Sequence, residues 1–362
     1  MYCHIADVLL YLRKRVIFVY SPFYFGKEKY MSLKIAIIGF GFMGQTHAGS
    51  LLKIPGTEIT GVVDFNDPVE QLKSIKGNND AVTITVEEAS KLPWYKSWEE
   101  LVSKAGTPDA VIVALPTRFH CSAVVQALES GCHVMVEKPF ATSVAECEQM
   151  IAAAEKAGKL LAVGYVVRCF AEYNALKESV QKGKFGKLNF LEMRRFAGIP
   201  GWGSWLDPEV VRHSGGTLFD LLSHDLDFAL HMLGAPVAVK ASRRGKENFK
   251  GDWLSVELDY KEFNVLIESA FIPPVSYPFH QSFQAFFETG SLYSGAPGTL
   301  TECIGREAKK ADLPAVSPYY QELVNFVNAV QSGDTCGVCT GKDALVTIEH
   351  CAKIRQLLDE EK

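Results

Sequence analysis

The chain has 362 residues and a formal net charge of −5, with 48% hydrophobic and 22% charged residues. This length allows two domains of ordinary size, each with a hydrophobic core of its own. The sequence contains no basic stripe and no run of the ~20 apolar residues that a membrane span needs, so we expect neither nucleic acid nor a membrane as a partner. The nine cysteines lack regular spacing, which is typical of reduced thiols in a cytoplasmic protein.

Residues 1–31 differ in composition from the rest of the chain. Three basic residues at positions 13–15 precede the short apolar run Val16–Tyr20, and Pro22 follows it. A secretory signal needs a longer apolar segment and a small-residue cleavage site, which this segment lacks. We therefore interpret residues 1–31 as an N-terminal extension outside the fold, in preference to a membrane-surface anchor. A protein that starts at Met31 is expected to fold and work normally.

A glycine-rich motif follows the first predicted strand. The strand is Lys34–Ile38, whose sequence KIAII is typical of a buried parallel strand. It leads into the pattern G-x-G-x-x-G, formed by Gly39, Phe40, Gly41, Phe42, Met43 and Gly44. The first glycine permits a tight turn, the second lets the backbone approach a pyrophosphate, and the third lets the next helix pack closely. A helix from about Met43 to Leu52 would then direct its N-terminal N–H groups at the phosphates, as in a Rossmann nucleotide-binding domain.

An acidic residue ends the second predicted strand. The strand Glu58–Val63 is followed by Asp64, which lies 20 residues after Gly44. A carboxylate in this place accepts hydrogen bonds from the adenosine ribose hydroxyls and repels a 2′-phosphate. Residues 65–68 contain no Arg or Lys, so we predict NAD as the cofactor, with NADP less favoured. The alternative is an aspartate that only forms a turn at a strand end.

Further strands and helices alternate along the nucleotide domain, which is assigned to residues 32–158, and one more strand follows it. They are predicted at Asp109–Ala114, Phe119–Ser130, His133–Glu137, Ser143–Ala157 and Leu160–Gly164. This alternation predicts a doubly wound parallel sheet, in which ligands bind beyond the carboxyl ends of the strands. The residues expected at those ends are Leu115, Pro116, Thr117, Glu137, Lys138 and Tyr165.

Four segments together resemble the glucose–fructose oxidoreductase / inositol dehydrogenase family. They are the glycine motif, LPTRFH at 115–120, EKP at 137–139 and GGTLFDLLSHD at 215–225. The resemblance runs from about Leu33 to the last helix. The resemblance implies that His120 also takes part in cofactor binding, together with the glycine motif, Asp64 and the strand-end residues named above. The family's usual Thr-Pro is replaced here by Leu-Pro, which is expected to alter nicotinamide packing slightly.

The second half of the chain, residues 159–362, is predicted to form an α+β domain that binds substrate. Alternating strands are expected at Leu188–Arg195, Val237–Ser242, Leu254–Tyr260, Asn264–Phe271 and Ser282–Glu288. The resemblance implies that they belong to one large, open, mostly antiparallel sheet. In the family this sheet commonly forms an oligomer interface, so a homodimer or homotetramer is expected.

Three residues carry the predicted chemistry, which is hydride transfer from an alcohol carbon. Such a reaction requires a base for the hydroxyl proton and a group that stabilises the developing alkoxide. Lys138 can stabilise the alkoxide, and His224 can be the base. Asp220 lies one helical turn before His224 in a predicted helix, Thr217–Leu233, and can orient it or bind a substrate hydroxyl. The alternatives are a surface pair of Lys138 with Glu137 and a helix-surface salt bridge. The family's catalytic triad maps onto these three residues.

Weaker candidates surround this triad. Arg168 follows Tyr165, Arg195 ends a later strand, and a Gly- and Pro-rich loop before the catalytic helix carries Trp202, Trp205, Arg212 and His213. Such residues suit a polyhydroxylated ligand, although a packed loop with a solvated rim is an equally simple interpretation. The pair Cys336 and Cys339 stands without a second C-x-x-C, so we expect no metal site.

The sequence therefore predicts an NAD(P)-dependent oxidoreductase that acts on a secondary hydroxyl of a sugar, cyclitol or related polyol. Two alternatives remain open at this point. One is a redox-assisted lyase or hydrolase that holds NAD tightly, and the other is a non-catalytic NAD(P)-binding regulator. Net accumulation of NADH with substrate would distinguish a dehydrogenase from the lyase or hydrolase.

Overall fold

The computed structural model describes residues 32–74, 81, 84–199, 207–246 and 250–360. The predicted N-terminal extension, Trp202 and Trp205 lie outside these residues, and so does the side chain of Arg212. Within the described part, no helix combines the length and the apolarity needed to cross a bilayer.

The first sheet has six strands in the order β3-β2-β1-β4-β5-β6. All of its pairings are parallel. Its strands are β1 Leu33–Ile38, β2 Thr57–Val63, β3 Trp94–Tyr95, β4 Ala110–Val113, β5 His133–Glu137 and β6 Leu161–Gly164. The central strands are apolar and buried because helices cover both faces of a doubly wound sheet. The strand order reverses between β1 and β4, which is where such sheets bind dinucleotides.

Six helices in the described residues connect these strands, and the first, fifth and sixth of them lie close to the predicted positions. They are α1 Phe42–Leu51, α2 Pro68–Ser74, α3 Val86–Ala89, α4 Trp98–Ala105, α5 His120–Glu129 and α6 Val144–Ala157. The Ser143 hydroxyl caps α6 by accepting the Glu146 N–H, and Gly158 ends that helix in the left-handed conformation. Helix α1 begins directly after Gly41, whose backbone provides the N-cap.

The second sheet has eight strands in the order β14-β13-β12-β11-β7-β10-β9-β8. Its pairings are antiparallel except for the parallel pair β7 and β10. Its strands are β7 Leu188–Gly198, β8 Ala238–Lys246, β9 Lys250–Asp259, β10 Asn264–Ile272, β11 His280–Phe287, β12 Gly290–Ser294, β13 Thr301–Ile304 and β14 Glu307–Lys310. The predicted fold class, a parallel Rossmann sheet plus a large mostly antiparallel sheet, is confirmed.

The remaining helices join the two sheets. They are α7 Ala171–Gln181, α8 Pro208–His213, α9 Ser223–Leu233, α10 Pro318–Ser332 and α11 Gly341–Glu360. One continuous hydrophobic core contains Val111 of β4, Leu226 of α9 and Leu254 of β9. A second hydrophobic core contains Ile35 of β1 and Phe326 of α10. The C-terminal helices therefore return to the first sheet, and the two sheets enclose a cleft between them.

The helix predicted at Thr217–Leu233 is not uniform. It starts with a π-helical turn at Leu218–Leu222 and continues as α9. Gly215 and Gly216 precede it with φ angles of +81° and +63°, which other residues adopt only at a cost. Such π-helical turns are frequent at functional sites, because the wider turn changes the direction of its side chains. Here the wider turn carries Asp220.

Candidate active site

A cleft of about 1390 Å³ follows the carboxyl ends of the first sheet and reaches the second sheet. One part of it is lined by Asp64 and by four residues of the glycine motif, Gly39, Gly41, Phe42 and Met43. Lys138, Asp220 and His224 line another part, which the second sheet borders. The predicted cofactor and catalytic residues therefore meet in one continuous space.

The geometry of the glycine motif fits a dinucleotide. A Cβ atom on Gly39 would lie 2.5 Å from the carbonyl oxygen of Ala114, and one on Gly44 would lie 2.1 Å from the carbonyl oxygen of Gly39. Gly41 differs, because a Cβ there would meet no atom within 4 Å and would stand in the cleft. No side chain caps the N-terminus of α1. Its backbone N–H groups are therefore available to a pyrophosphate beside Gly41.

Asp64 holds the glycine motif from the end of β2. Its Oδ2 accepts the Phe40 N–H at 2.7 Å, and its Oδ1 accepts the Asn66 N–H at 2.9 Å and the Gln71 amide at 3.1 Å. The bond to Asn66 is a local turn contact, so Asp64 does form a turn at the end of the strand, as in the alternative interpretation. The carboxylate also lines the cleft, which leaves it able to bind a ribose.

Sequence reasoning missed a cation in this cleft. Lys96 follows β3, which lies beside β2, and it lines the same space as Asp64. Its ammonium lies 5.9 Å from the centre of the Trp94 ring. The residues directly after Asp64 contain no Lys or Arg. Lys96 reaches the cleft through the pairing of β2 with β3, which are distant along the chain.

Three of the predicted cofactor residues, Phe40, Gly44 and His120, do not line the cleft. Phe40 is fully buried and contributes its backbone N–H to Asp64. His120 is 1% exposed, and its ring nitrogens lie 2.8 Å from the Leu115 carbonyl oxygen and 3.1 Å from the Pro139 carbonyl oxygen. Burial lowers the pKa of His120. His120 therefore joins two cleft-lining segments from behind, while Leu115, Pro116 and Thr117 line the cleft directly.

Glu137 and Lys138 point to different partners at the end of β5. The Glu137 carboxylate lies 2.6 Å from Nε2 of the buried His47 and also accepts the Lys138 backbone N–H at 3.1 Å. Gly164 on β6 leaves room for it, since a Cβ there would lie 3.3 Å from the Glu137 carboxyl group. The alternative in which the Lys138 ammonium pairs with Glu137 is therefore wrong.

Lys138 instead forms an ion pair with Asp220. Its Nζ donates to Asp220 Oδ1 at 2.7 Å and to the Asp220 carbonyl oxygen at 3.0 Å. The two side chains are only 17% and 15% exposed, so this pair lies in a partly desolvated part of the cleft. The predicted contact between Asp220 and His224 is not among the hydrogen bonds of the described residues. The ammonium of Lys138 offers a full charge, which a neutral imidazole cannot match.

His224 faces this pair as a neutral imidazole. Burial, followed by the positive charges of Lys138 and Arg195, lowers the pKa of His224 well below its ordinary value. Its Nδ1 is buried and has no hydrogen-bond partner among the described residues. The ring of Tyr165 packs edge-on against it, with ring centres 6.4 Å apart. An unprotonated imidazole in this place can accept a proton from a ligand.

The predicted substrate residues separate into two groups. His213 lines the cleft. Tyr165 and Arg168 line a small separate cavity, and Arg168 forms a bidentate ion pair with Asp227 through two bonds of 2.7 Å. Arg195, a weaker candidate in the sequence, does line the main cleft. The structure therefore brings His213 and Arg195 to the cleft and leaves Tyr165 and Arg168 behind its wall.

The cysteine pair lies apart from this site. Cys336 is exposed and Cys339 is buried, and both are free thiols. The described residues contain no group of three or more His, Cys, Asp or Glu side chains placed to hold a metal ion.

Two models of one protein family match most of the chain. Residues 33–165 match its NAD-binding Rossmann domain, described as an oxidoreductase family, and residues 173–293 match its C-terminal domain. The chain belongs to the GFO/IDH/MocA family. The resemblance stated from the sequence motifs is therefore confirmed.

Several curated relatives are similar in sequence. D-glucoside 3-dehydrogenase of Escherichia coli is 34% identical over 58% of this chain and 56% of the relative. The NAD⁺-dependent scyllo-inositol 2-dehydrogenase of Bacillus subtilis is 29% identical over 57% of this chain and 55% of the relative. These matches span about half the length of each relative. An NADP⁺-dependent scyllo-inositol 2-dehydrogenase of the same organism is 26% identical over 83% of this chain and 88% of its own.

Solved structures share the fold. UDP-N-acetylglucosamine 3-dehydrogenase from Acidithiobacillus ferrooxidans superimposes with a TM-score of 0.72 at 22% identity, covering 91% of this chain and 98% of its own. An oxidoreductase from Agrobacterium radiobacter, solved with NAD⁺, L-tartaric acid and magnesium, has a TM-score of 0.74 at 18% identity and covers 91% of this chain and 97% of its own. At these identities the likeness supports the two-sheet architecture.

Proposed function

We propose that this protein is an NAD-dependent dehydrogenase that oxidises a secondary hydroxyl of a sugar, cyclitol or related polyol, or reduces the matching ketone. One observation carries the proposal. A neutral His224 and the Lys138–Asp220 pair line the same cleft as the open side of the glycine motif. The family relatives that are named as glucoside and inositol dehydrogenases support the same class of substrate.

The side chains of this cleft divide the chemistry between them. The nicotinamide, when bound, supplies the acceptor for a hydride. Lys138 gives two hydrogen bonds to Asp220, and its third N–H remains for the reacting oxygen. Its positive charge stabilises negative charge that develops on that oxygen. Asp220 fixes the direction of the ammonium, and His224 takes the hydroxyl proton because its depressed pKa keeps it unprotonated.

NAD is the proposed cofactor in preference to NADP. The Asp64 carboxylate lines the cleft at the end of β2, where it would repel a 2′-phosphate and accept ribose hydroxyls. Lys96 lines the same cleft, so its contribution needs a direct test. Titration of the protein and of Lys96→Ala with NAD⁺ and NADP⁺ measures it. Tighter binding of NADP⁺ by the unaltered protein would overturn the preference.

The catalytic proposal is tested by a screen of neutral sugars, methyl glycosides and cyclitols with NAD⁺, followed by NADH absorbance. Steady accumulation of NADH with at least one compound is expected, and His224→Asn should remove it. Chemical conversion of a substrate without net NADH would favour the redox-assisted lyase or hydrolase. Tight NAD⁺ binding without turnover of any compound would favour the non-catalytic regulator.

We also propose a homodimer or homotetramer, following the family resemblance. The outer face of the second sheet exposes Trp253, Phe286 and Tyr293, whose side chains are 37%, 43% and 47% exposed. Large apolar side chains that share an exposed face are typical of a protein–protein interface. Light scattering after size-exclusion chromatography measures the mass, and a monomer at micromolar concentration would contradict the proposal.

A further inference from the structure

One buried amide borders the cleft without a complete set of hydrogen bonds. Gln281 lies on β11, and its side chain is 2% exposed yet lines the cleft. Its Oε1 accepts a hydrogen bond from Arg195 Nη1 at 2.8 Å. Its Nε2 has no hydrogen-bond partner among the described residues. A buried N–H group without a partner is costly and uncommon in folded proteins.

The orientation of this amide is determined by a rigid pair behind it. Arg195 is 3% exposed, and it donates to Asp225 through Nε at 2.9 Å and through Nη2 at 3.0 Å. The Tyr173 hydroxyl donates to the same carboxylate at 3.2 Å. Because a guanidinium can only donate, it must face the carbonyl oxygen of Gln281. The amide N–H₂ group is thereby left for another acceptor.

The charges near Gln281 indicate an uncharged ligand. Asp220 neutralises Lys138, and Asp225 neutralises Arg195. His224 is unprotonated. The nearby wall includes Phe271 and Phe279, and aromatic rings pack well against the C–H faces of sugars and cyclitols.

We propose that Gln281 is a specificity-determining residue whose Nε2 donates a hydrogen bond to a hydroxyl oxygen of an uncharged sugar or cyclitol. Lys138 and His224 serve the reacting oxygen, so Gln281 binds a hydroxyl on another carbon. This inference rests on the proposed dehydrogenase function and adds the residue and the charge class by which substrate is selected.

Two variants of Gln281 separate its donor from its packing. Gln281→Glu keeps an oxygen for Arg195 and removes the N–H₂ donor, whereas Gln281→Leu removes both. The full-length variants are assayed with NAD⁺ and the best neutral substrate of the screen. Each should lower kcat/KM on the order of 10- to 100-fold, mainly through KM, with unchanged affinity for NAD⁺. Gln149→Glu is the matched control, because Gln149 is exposed on α6 and does not line the cleft.

Monodeoxy analogues of the same substrate provide the decisive comparison. For the unaltered protein, kcat/KM should fall by a similar factor when the substrate is replaced by one of these analogues. With the same analogue, kcat/KM of Gln281→Leu should fall little further, because the hydroxyl that Gln281 binds is already missing. If Gln281→Leu lowers kcat/KM by the same factor with the substrate and with every analogue, Gln281 has only a structural role and the inference is overturned. Preference for a uronate over the neutral sugar would overturn the charge class. If the unaltered protein turns over no compound, the proposed function fails with the inference, whereas turnover insensitive to Gln281 refutes the inference alone.

Discussion

Two glycines of one motif should respond in opposite ways to the same substitution. In Gly44→Ala, the new Cβ would stand 2.1 Å from the Gly39 carbonyl oxygen, although real Cβ contacts shorter than 3.0 Å essentially do not occur. Helix α1 and the end of β1 must therefore separate by about 0.9 Å. The Gly39 N–H is bonded to the Val63 carbonyl at 2.8 Å, so this movement strains the central sheet.

The expected cost of Gly44→Ala is that of an overpacked core, about 1–3 kcal/mol. With a urea m-value of about 3 kcal/mol/M, a loss of about 2 kcal/mol lowers the unfolding midpoint by roughly 0.7 M. Urea unfolding without cofactor, followed by tryptophan fluorescence, measures this shift.

Gly41→Ala is the companion variant. No atom lies within 4 Å of the new Cβ, and the Gly41 φ of −66° suits alanine. The unfolding midpoint should therefore stay close to that of the unaltered protein. The methyl group enters the space of the pyrophosphate, so the Kd for NAD⁺ should rise about tenfold or more, which corresponds to about 1.4 kcal/mol. An unshifted midpoint in Gly44→Ala, or normal NAD⁺ affinity in Gly41→Ala, would refute this reasoning.

Other substitutions test the proposed chemistry and cofactor. On the acid side, kcat/KM for oxidation should fall with a midpoint below the ordinary histidine pKa of about 6.5, because the pKa of His224 is lowered. His224→Asn should remove this acid limb of the pH profile and lower kcat/KM by a factor on the order of 10²–10⁴. Asp220→Asn should move the acid limb to still lower pH and reduce the plateau of kcat/KM, because the charge of Lys138 then acts on His224 without compensation. If the limb does not move, another group is the base. Lys138→Ala should lower kcat by about 10²–10³ with little change in the Kd of NAD⁺, and a normal kcat would leave it only a cofactor contact. Asp64→Ala combined with Phe65→Arg should shift the ratio of NAD⁺ to NADP⁺ affinity toward NADP⁺ relative to the control Phe65→Ala, since Phe65 is 89% exposed.

The sequence by itself indicated the alternation of strands and helices in the first domain, the longer strands of the second sheet and the junction that carries the glycine motif. Short apolar runs, glycines with a required backbone geometry and helix caps such as Ser143 act within a few residues, so their consequences can be worked out locally. For the same reason the glycine motif was placed correctly at the junction of β1 and α1. The strands β3, β12, β13 and β14 were not predicted, because short strands at or near a sheet edge carry little alternation of apolar and polar residues.

Only the tertiary structure decided which side chains meet. Lys138 and Asp220 are 82 positions apart, and their contact depends on how the helix after Gly216 packs against the end of β5. Arg195 and Gln281 are 86 positions apart, and their contact depends on the pairing of β7 with β11. The spacing of Asp220 and His224 suggested that they are partners, but the Asp220 carboxylate accepts a hydrogen bond from the Lys138 ammonium instead. The direction of the pKa shift of His224 depends on its burial and on the charges near it, and both are results of packing. The spacing of residues along a helix leaves that direction undetermined.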